Sequence, residues 1–120
     1  MTRPTLDIVH ELYAAFGAKD AEALRQILDP TVRWTQCPGF PGGADRTGPD
    51  AVIEGVMGGL NAEWEDFGVD VDEFLEAGSA VVVVGAYRGV HRSTGRAMHS
   101  VFTHIYEGDG QRIVLSLIHI

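Results

Sequence analysis

Ser79–Tyr106 reads SAVVVVGAYRGVHRSTGRAMHSVFTHIY. Two runs rich in β-branched and aromatic residues flank one turn. Ala80–His91 carries Val81, Val82, Val83, Val84, Tyr87 and Val90, and Ala97–Tyr106 carries Met98, Val101, Phe102, Thr103, Ile105 and Tyr106. Such side chains fit a pleated, half-buried surface, and Arg92-Ser93-Thr94-Gly95 has the chemistry of a turn, so the stretch predicts a long β-hairpin. Each arm exceeds the usual strand of about five or six residues. Arms that long curve, and Gly85 and Gly89 stand where a strand would bend or bulge. A curved sheet has a hollow side that helices or a ligand must fill.

The residues before the hairpin supply the filling. Leu6, Val9, Leu12, Tyr13 and Phe16 recur at helical spacing and predict a helix over Thr5–Phe16, opened by Pro4 and closed by Gly17. Asp20 is the N-cap of a second helix, Ala21–Leu28, which Asp29-Pro30 stops. Thr31–Gln36 alternates as a short strand. The loop Cys37–Gly48, CPGFPGGADRTG, holds two prolines and four glycines and is the longest irregular stretch, the kind that forms lids and rims. Pro49 opens a third helix, Asp50–Leu60, with Val52, Ile53, Val56, Met57 and Leu60 inward. Gly55, Gly58 and Gly59 weaken it, so it frays near Gly58 or something packs close to its backbone. Trp64 and Phe67 follow as anchors. Phe67–Glu76 is a strand with Val69, Val71 and Phe74 in one register. Glu107-Gly108-Asp109-Gly110 turns the chain into a last strand, Gln111–Ile118. Helices segregated from an antiparallel meander make one α+β domain over residues 1–120.

The chain has 120 residues, the length of one domain, and a net charge of −8. Its nine basic residues are scattered, which argues against nucleic acid as a partner. Glu63–Glu76 is mildly acidic and reads as a solvated face, because the glycine-bearing calcium-loop pattern is missing. A lone cysteine, Cys37, excludes an intrachain disulfide and fits a reducing, cytoplasmic setting. No segment reads as a signal peptide or a membrane span.

Several pieces, taken in order, carry a family resemblance. They are Ala14-Ala15-Phe16-Gly17-Ala18-Lys19-Asp20, Leu28-Asp29-Pro30-Thr31-Val32-Arg33-Trp34, Thr47-Gly48-Pro49-Asp50-Ala51-Val52 and Trp64–Val69. Thr94-Gly95-Arg96 leading into Ser100-Val101-Phe102-Thr103-His104, then Asp109-Gly110-Gln111-Arg112-Ile113, are the most specific. Together they resemble the nuclear transport factor 2-like superfamily, in particular SnoaL-like and ketosteroid-isomerase-related proteins. The resemblance implies a cone: a curved antiparallel sheet packed on three N-terminal helices, enclosing an apolar pocket. It also implies a homodimer through the outer sheet face. It leaves the activity open, since this fold hosts isomerases, cyclases, hydrolases, dehydratases and non-enzymes.

Ketosteroid isomerisation uses a carboxylate base with a Tyr and a protonated Asp as oxyanion donors. By the resemblance, the base falls at Trp34, the donor Asp at Thr103 and the donor Tyr at Leu12, one position from Tyr13. Trp cannot abstract a proton, so steroid isomerisation is not expected. In SnoaL-type cyclases the resemblance places an acid/base carboxylate near the last strand, and none stands there. The ending Leu115-Ser116-Leu117-Ile118-His119-Ile120 is also an error-free translation of CTGTCTCTTATACACATC, the transposon end used in preparing sequencing libraries. The expectation is that the reading frame was cut at about Val114 and finished by adapter sequence; a genuine apolar edge strand is the alternative.

Candidate site residues follow. A tight hairpin turn puts Arg88 opposite His99, whereas one more loop residue puts Tyr87 there. Beside an arginine, His99 stays neutral and can act as a base; otherwise the two form an exposed or dimer-interface pair. Tyr13 joins them as the third catalytic candidate. Trp34, Thr103, Val101, Phe16, Met57 and Trp64 are the ligand-binding candidates. His91, His99 and His104 do not make a metal site, because His104 and His99 point to opposite faces of their strand. Two readings result. One is a cofactor-free acid/base enzyme for an apolar, oxygen-bearing small molecule. The other is a non-catalytic binding or dimerisation domain. A dimer face carrying Phe102 and Tyr106 is expected in either case.

Overall fold

The computed structural model describes residues 2–37 and 45–119, with the backbone alone at position 119. Most of the Pro/Gly-rich loop, residues 38–44, lies outside them, and with it the expectation of a lid.

Helix α1 spans Thr5–Ala18 and α2 spans Ala21–Ile27. Strand β1, Leu28–Gln36, begins three residues before the alternation announced it. A short β2, Asp45–Thr47, follows the loop. The third helix is a run of three pieces: α3 over Pro49–Val52, a π-helical segment over Ile53–Gly58, and α4 over Gly59–Glu63. The strands β3 (Trp64–Ala77), β4 (Ala80–His91), β5 (Ala97–Gly108) and β6 (Ile113–His119) then form an antiparallel meander. Among the described residues no helix is long and apolar enough to cross a membrane.

The sheet order is β2-β1-β6-β5-β4-β3. The meander matches expectation, and of the two hairpin registers left open the tight turn holds, with Arg88 opposite His99 and Tyr87 opposite Ser100. The expected sheet was antiparallel throughout. In the structure β1 lies parallel to β6, with Trp34 opposite Ser116, while β2 pairs antiparallel with the other edge of β1. The sheet is therefore mixed. Leu115–Leu117 belong to a strand paired on both sides, between β1 and β5, rather than to an edge.

Curvature comes from bulges in β3 between Glu65 and Gly68 and between Val71 and Glu73. The second bulge shifts the alternation by one residue. It lets Val69 and Val71 on one side of the bulge, and Phe74 on the other, all pack against the core. Gly85 sits opposite Val71, and a Cβ there would strike the backbone of Asp70, with Phe102 Cζ at 3.0 Å. The bend thus requires a residue without a side chain.

Two local expectations change. Gly17 does not close α1. The helix continues to Ala18, and Lys19 takes the left-handed cap at φ 55°. Asp20 N–H then donates to Ala15 O at 2.9 Å and Lys19 N–H to Phe16 O at 3.1 Å, the wrapped ending usually built on glycine. A left-handed lysine costs about 1–2 kcal/mol. Asp20 does cap α2, accepting from Ala23 N–H at 3.1 Å. The third helix widens rather than frays. The Arg46 side chain lies against Gly55, where a Cβ would collide with its guanidinium, and the helix there adopts the looser π winding.

The core lies between α1, α2 and the concave sheet face. Ile8, Val9 and Leu12 of α1 and Leu24 of α2 are fully buried. They pack in one cluster with Val32 and Trp34 of β1, Val81, Val83 and Tyr87 of β4, and Phe102 and Tyr106 of β5.

Candidate functional site

A cavity of about 230 Å³ opens between α1, the third helix and the concave sheet. Its apolar wall comes from Phe16 of α1, Met57 and Leu60 of the third helix, Phe67, Val69 and Val71 of β3, and Ile118 of β6. Polar residues on it are Tyr13 of α1, Lys19 at the C-terminal cap of α1, Trp34 and Gln36 of β1, and Asn61 of α4. Tyr87 of β4 and His104 and Tyr106 of β5 complete it. No carboxylate lines it among the described residues.

These last three residues and Tyr13 form one hydrogen-bonded cluster. Helical winding brings Tyr13 onto the sheet-facing side of α1, one residue past fully buried Leu12. The alternation of β5 turns Phe102, His104 and Tyr106 inward together. The Tyr13 hydroxyl is 2.6 Å from His104 Nδ1 and 3.1 Å from the Tyr106 hydroxyl. The Tyr106 hydroxyl lies 3.2 Å from the same Nδ1, and the Tyr87 hydroxyl bonds Nε2. The imidazole stacks on Phe102, ring centres 3.9 Å apart, which fixes its plane.

The electrostatics assign roles within the cluster. Burial raises the pKa of Tyr13, Tyr87 and Tyr106 well above the ordinary phenol value, because a phenolate would lose its hydration. The phenols therefore stay protonated, each able to donate one hydrogen bond and to accept others. A neutral imidazole carries one proton and one lone pair, so the tyrosines on its two sides play opposite parts, one donating and one accepting. Exchanging the tautomer reverses both, so the histidine can pass a proton from one side to the other. Trp34 adds a further donor to the same wall: its indole N–H is buried with no hydrogen-bond partner.

The expected site residues divide between the two faces of the sheet. Tyr13, Phe16, Trp34 and Met57 line the cavity. Arg88 and His99 do stand opposite each other, but both are exposed on the convex face, where Arg88 Nε pairs with Asp70 Oδ2 at 3.1 Å. Val101 is 69% exposed, and Thr103 shares its parity on β5. Trp64 packs edge-on against His91, ring centres 5.0 Å apart, away from the cavity wall. The expected outer patch of Phe102 and Tyr106 is corrected. Both rings are buried on the concave side, at 3% and 1% exposure, because β5 has the parity opposite to that reading. The ketosteroid-isomerase donor position at Leu12 is fully buried in the core.

Tyr87, His104 and Tyr106 line the candidate site, and motif reasoning passed them over. Their signal was present: Met98, Phe102, His104 and Tyr106 are the bulky residues at even positions of β5, whereas the odd positions hold His99, Val101, Thr103 and Ile105. A concave face that must meet helices takes the larger rings.

Comparison with known proteins gives a consistent picture. A model of the SnoaL-like domain family matches residues 9–116. No curated protein matches the sequence. Among solved structures, a nuclear transport factor 2-like protein from Burkholderia thailandensis is 29% identical, with a TM-score of 0.91 over 97% of this chain and 89% of that one. A nuclear transport factor 2-like protein of unknown function from Burkholderia pseudomallei is 28% identical, with a TM-score of 0.86 over the same shares. IdmH from Streptomyces antibioticus, a proposed polyketide cyclase, shares the fold at 23% identity and a TM-score of 0.80, over 97% of this chain and 91% of its own.

Proposed function

The chain belongs to the SnoaL-like domain family, and from that premise we propose that it is a small-molecule enzyme using acid/base chemistry, without a cofactor, on an apolar substrate that carries a carbonyl oxygen. The observation behind this reading is the Tyr13 hydroxyl 2.6 Å from His104 Nδ1, in the wall of a largely apolar cavity. Enolisation moves negative charge onto a carbonyl oxygen, and a pre-aimed phenol that stays protonated stabilises it. Tyr13 donates to that oxygen. Tyr13 keeps its proton: His104 Nδ1–H donates a hydrogen bond to the Tyr13 oxygen, the Tyr87 hydroxyl donates to Nε2, and the α-proton passes to water entering from the open side, which returns one to the enolate carbon. A proposed polyketide cyclase with the same fold is in keeping with this reaction class.

A volume of about 230 Å³ lies below the roughly 300–1,000 Å³ of pockets for drug-sized ligands, which favours a substrate of one or two rings. One observation favours the second reading, a binding domain without catalysis: no carboxylate base lines the wall among the described residues.

The test is α-proton exchange of 2-tetralone in D2O, followed by NMR. The enzyme reading expects exchange well above the buffer rate, lost in Tyr13→Phe and His104→Gln. Saturable binding with exchange at the buffer rate would replace it with the binding reading.

A further inference from the structure

We infer that the ligand of this cavity is an organic anion whose acidic oxygen is held by Lys19 at the mouth. The inference rests on the cavity's being a small-molecule site, as proposed above, and not on the catalytic step. The chain has 17 acidic and 9 basic residues. Yet among the described residues the cavity wall holds no Asp or Glu, and Lys19 is the one Lys or Arg on it. A wall of one sign against an acidic exterior attracts the opposite charge and repels none of it locally.

Lys19 is also placed with unusual care. It occupies the left-handed cap of α1, where glycine is the usual residue, and it lines the cavity while remaining exposed, which puts it at the solvent end. Among the described residues it makes no ion pair. The neighbouring carboxylate of Asp20 is turned to the Ala23 N–H of α2. Strain at a site wall points to a use for the side chain.

Further in, neutral donors stand beside the amides of Gln36 and Asn61. The phenols of Tyr13, Tyr87 and Tyr106 stay protonated, and the buried Trp34 indole N–H has no acceptor. These donors suit a ligand with an anionic oxygen near Lys19 and uncharged oxygens further in.

The plainer account is that Lys19 only complements the carbonyl end of α1. Two matched probes separate the accounts, 2-naphthoate and the neutral 2-acetonaphthone, with binding read by calorimetry and unfolding temperature measured alongside. The inference expects 2-naphthoate to bind at least about tenfold tighter at low salt, with the advantage shrinking as salt rises, because the mouth is exposed. Lys19→Met should abolish the difference by weakening 2-naphthoate, with the unfolding temperature unchanged. Lys19→Gly should do the same with an equal or higher unfolding temperature, since glycine relieves the left-handed cap. A ratio near one in the unsubstituted protein, or a ratio that survives both substitutions, overturns the anion inference alone. Binding of neither probe overturns it together with the reading of the cavity as a small-molecule site.

Discussion

Replacing Tyr13 by Phe separates chemistry from stability more sharply than any other single change. The ring and its packing remain and only the hydroxyl is lost. That hydroxyl makes two contacts, 2.6 Å to His104 Nδ1 and 3.1 Å to the Tyr106 hydroxyl. Neither partner is orphaned by its removal, because the Tyr106 hydroxyl already lies 3.2 Å from Nδ1 and the two can satisfy each other. The stability cost is therefore that of an ordinary hydrogen bond, about 0.5–1.5 kcal/mol, rather than the roughly 3 kcal/mol of a buried group left unpaired. With a urea slope of about 1–3 kcal/mol/M, the unfolding midpoint falls by about half a molar. The catalytic loss is of another order. Removing one donor to a developing oxyanion costs about 100–1,000-fold in rate. Urea unfolding and tetralone exchange on the same preparation measure both. A stability loss above about 3 kcal/mol with exchange unchanged would refute the reasoning, because it would make the cluster a structural network and not a donor aimed at substrate.

Other predictions use the same geometry. Because burial raises the pKa of Tyr13, Tyr87 and Tyr106, their contribution to stability is complete below the ordinary phenol value. It falls as pH rises beyond about 10, where the unfolded chain ionises first, by about 1.4 kcal/mol per pH unit for each tyrosine. Circular dichroism should show alkaline unfolding that becomes shallower in Tyr87→Phe, and stability flat to about pH 12 would contradict the burial argument. Gly85→Ala pushes a methyl group into the Asp70 backbone beneath Phe102. It should destabilise by about 1–3 kcal/mol, with an unchanged urea midpoint as the opposing result. Arg88→Ala and His99→Ala alter the convex face only, so probe binding should stay within about twofold, and a larger loss would return that pair to the site. We expect two copies to pair through that convex face around Val101, which is 69% exposed. Light scattering should find a dimer that Val101→Glu dissociates; a monomer before substitution would end the proposal.

Much of the fold was legible because its signals are local. The valine run of β4, the turn at Arg92–Gly95, the Asp20 cap and the spacing of Leu12 and Tyr13 each act within a few residues. They yield the helices and the meander, while the choice between the two hairpin registers came from the structure. The end of α1 was misplaced because a left-handed lysine contradicts the usual preference for glycine.

The candidate site was legible only in part. Tyr13, Phe16, Trp34 and Met57 were named from residue type, since bulky rings and a flexible thioether on inward faces suit a cavity wall. Strand parity was the missing quantity. Alternation shows that His104 and His99 part company, but it does not say which of them faces the helices. That choice rests on α1 crossing the concave face and on the parallel pairing of β1 with β6, contacts between residues far apart in the chain. The sequence by itself determined which residues share a face. Which face became the cavity was decided by the tertiary structure, because burying a sheet's concave side is a property of the helices that cover it and of no segment alone.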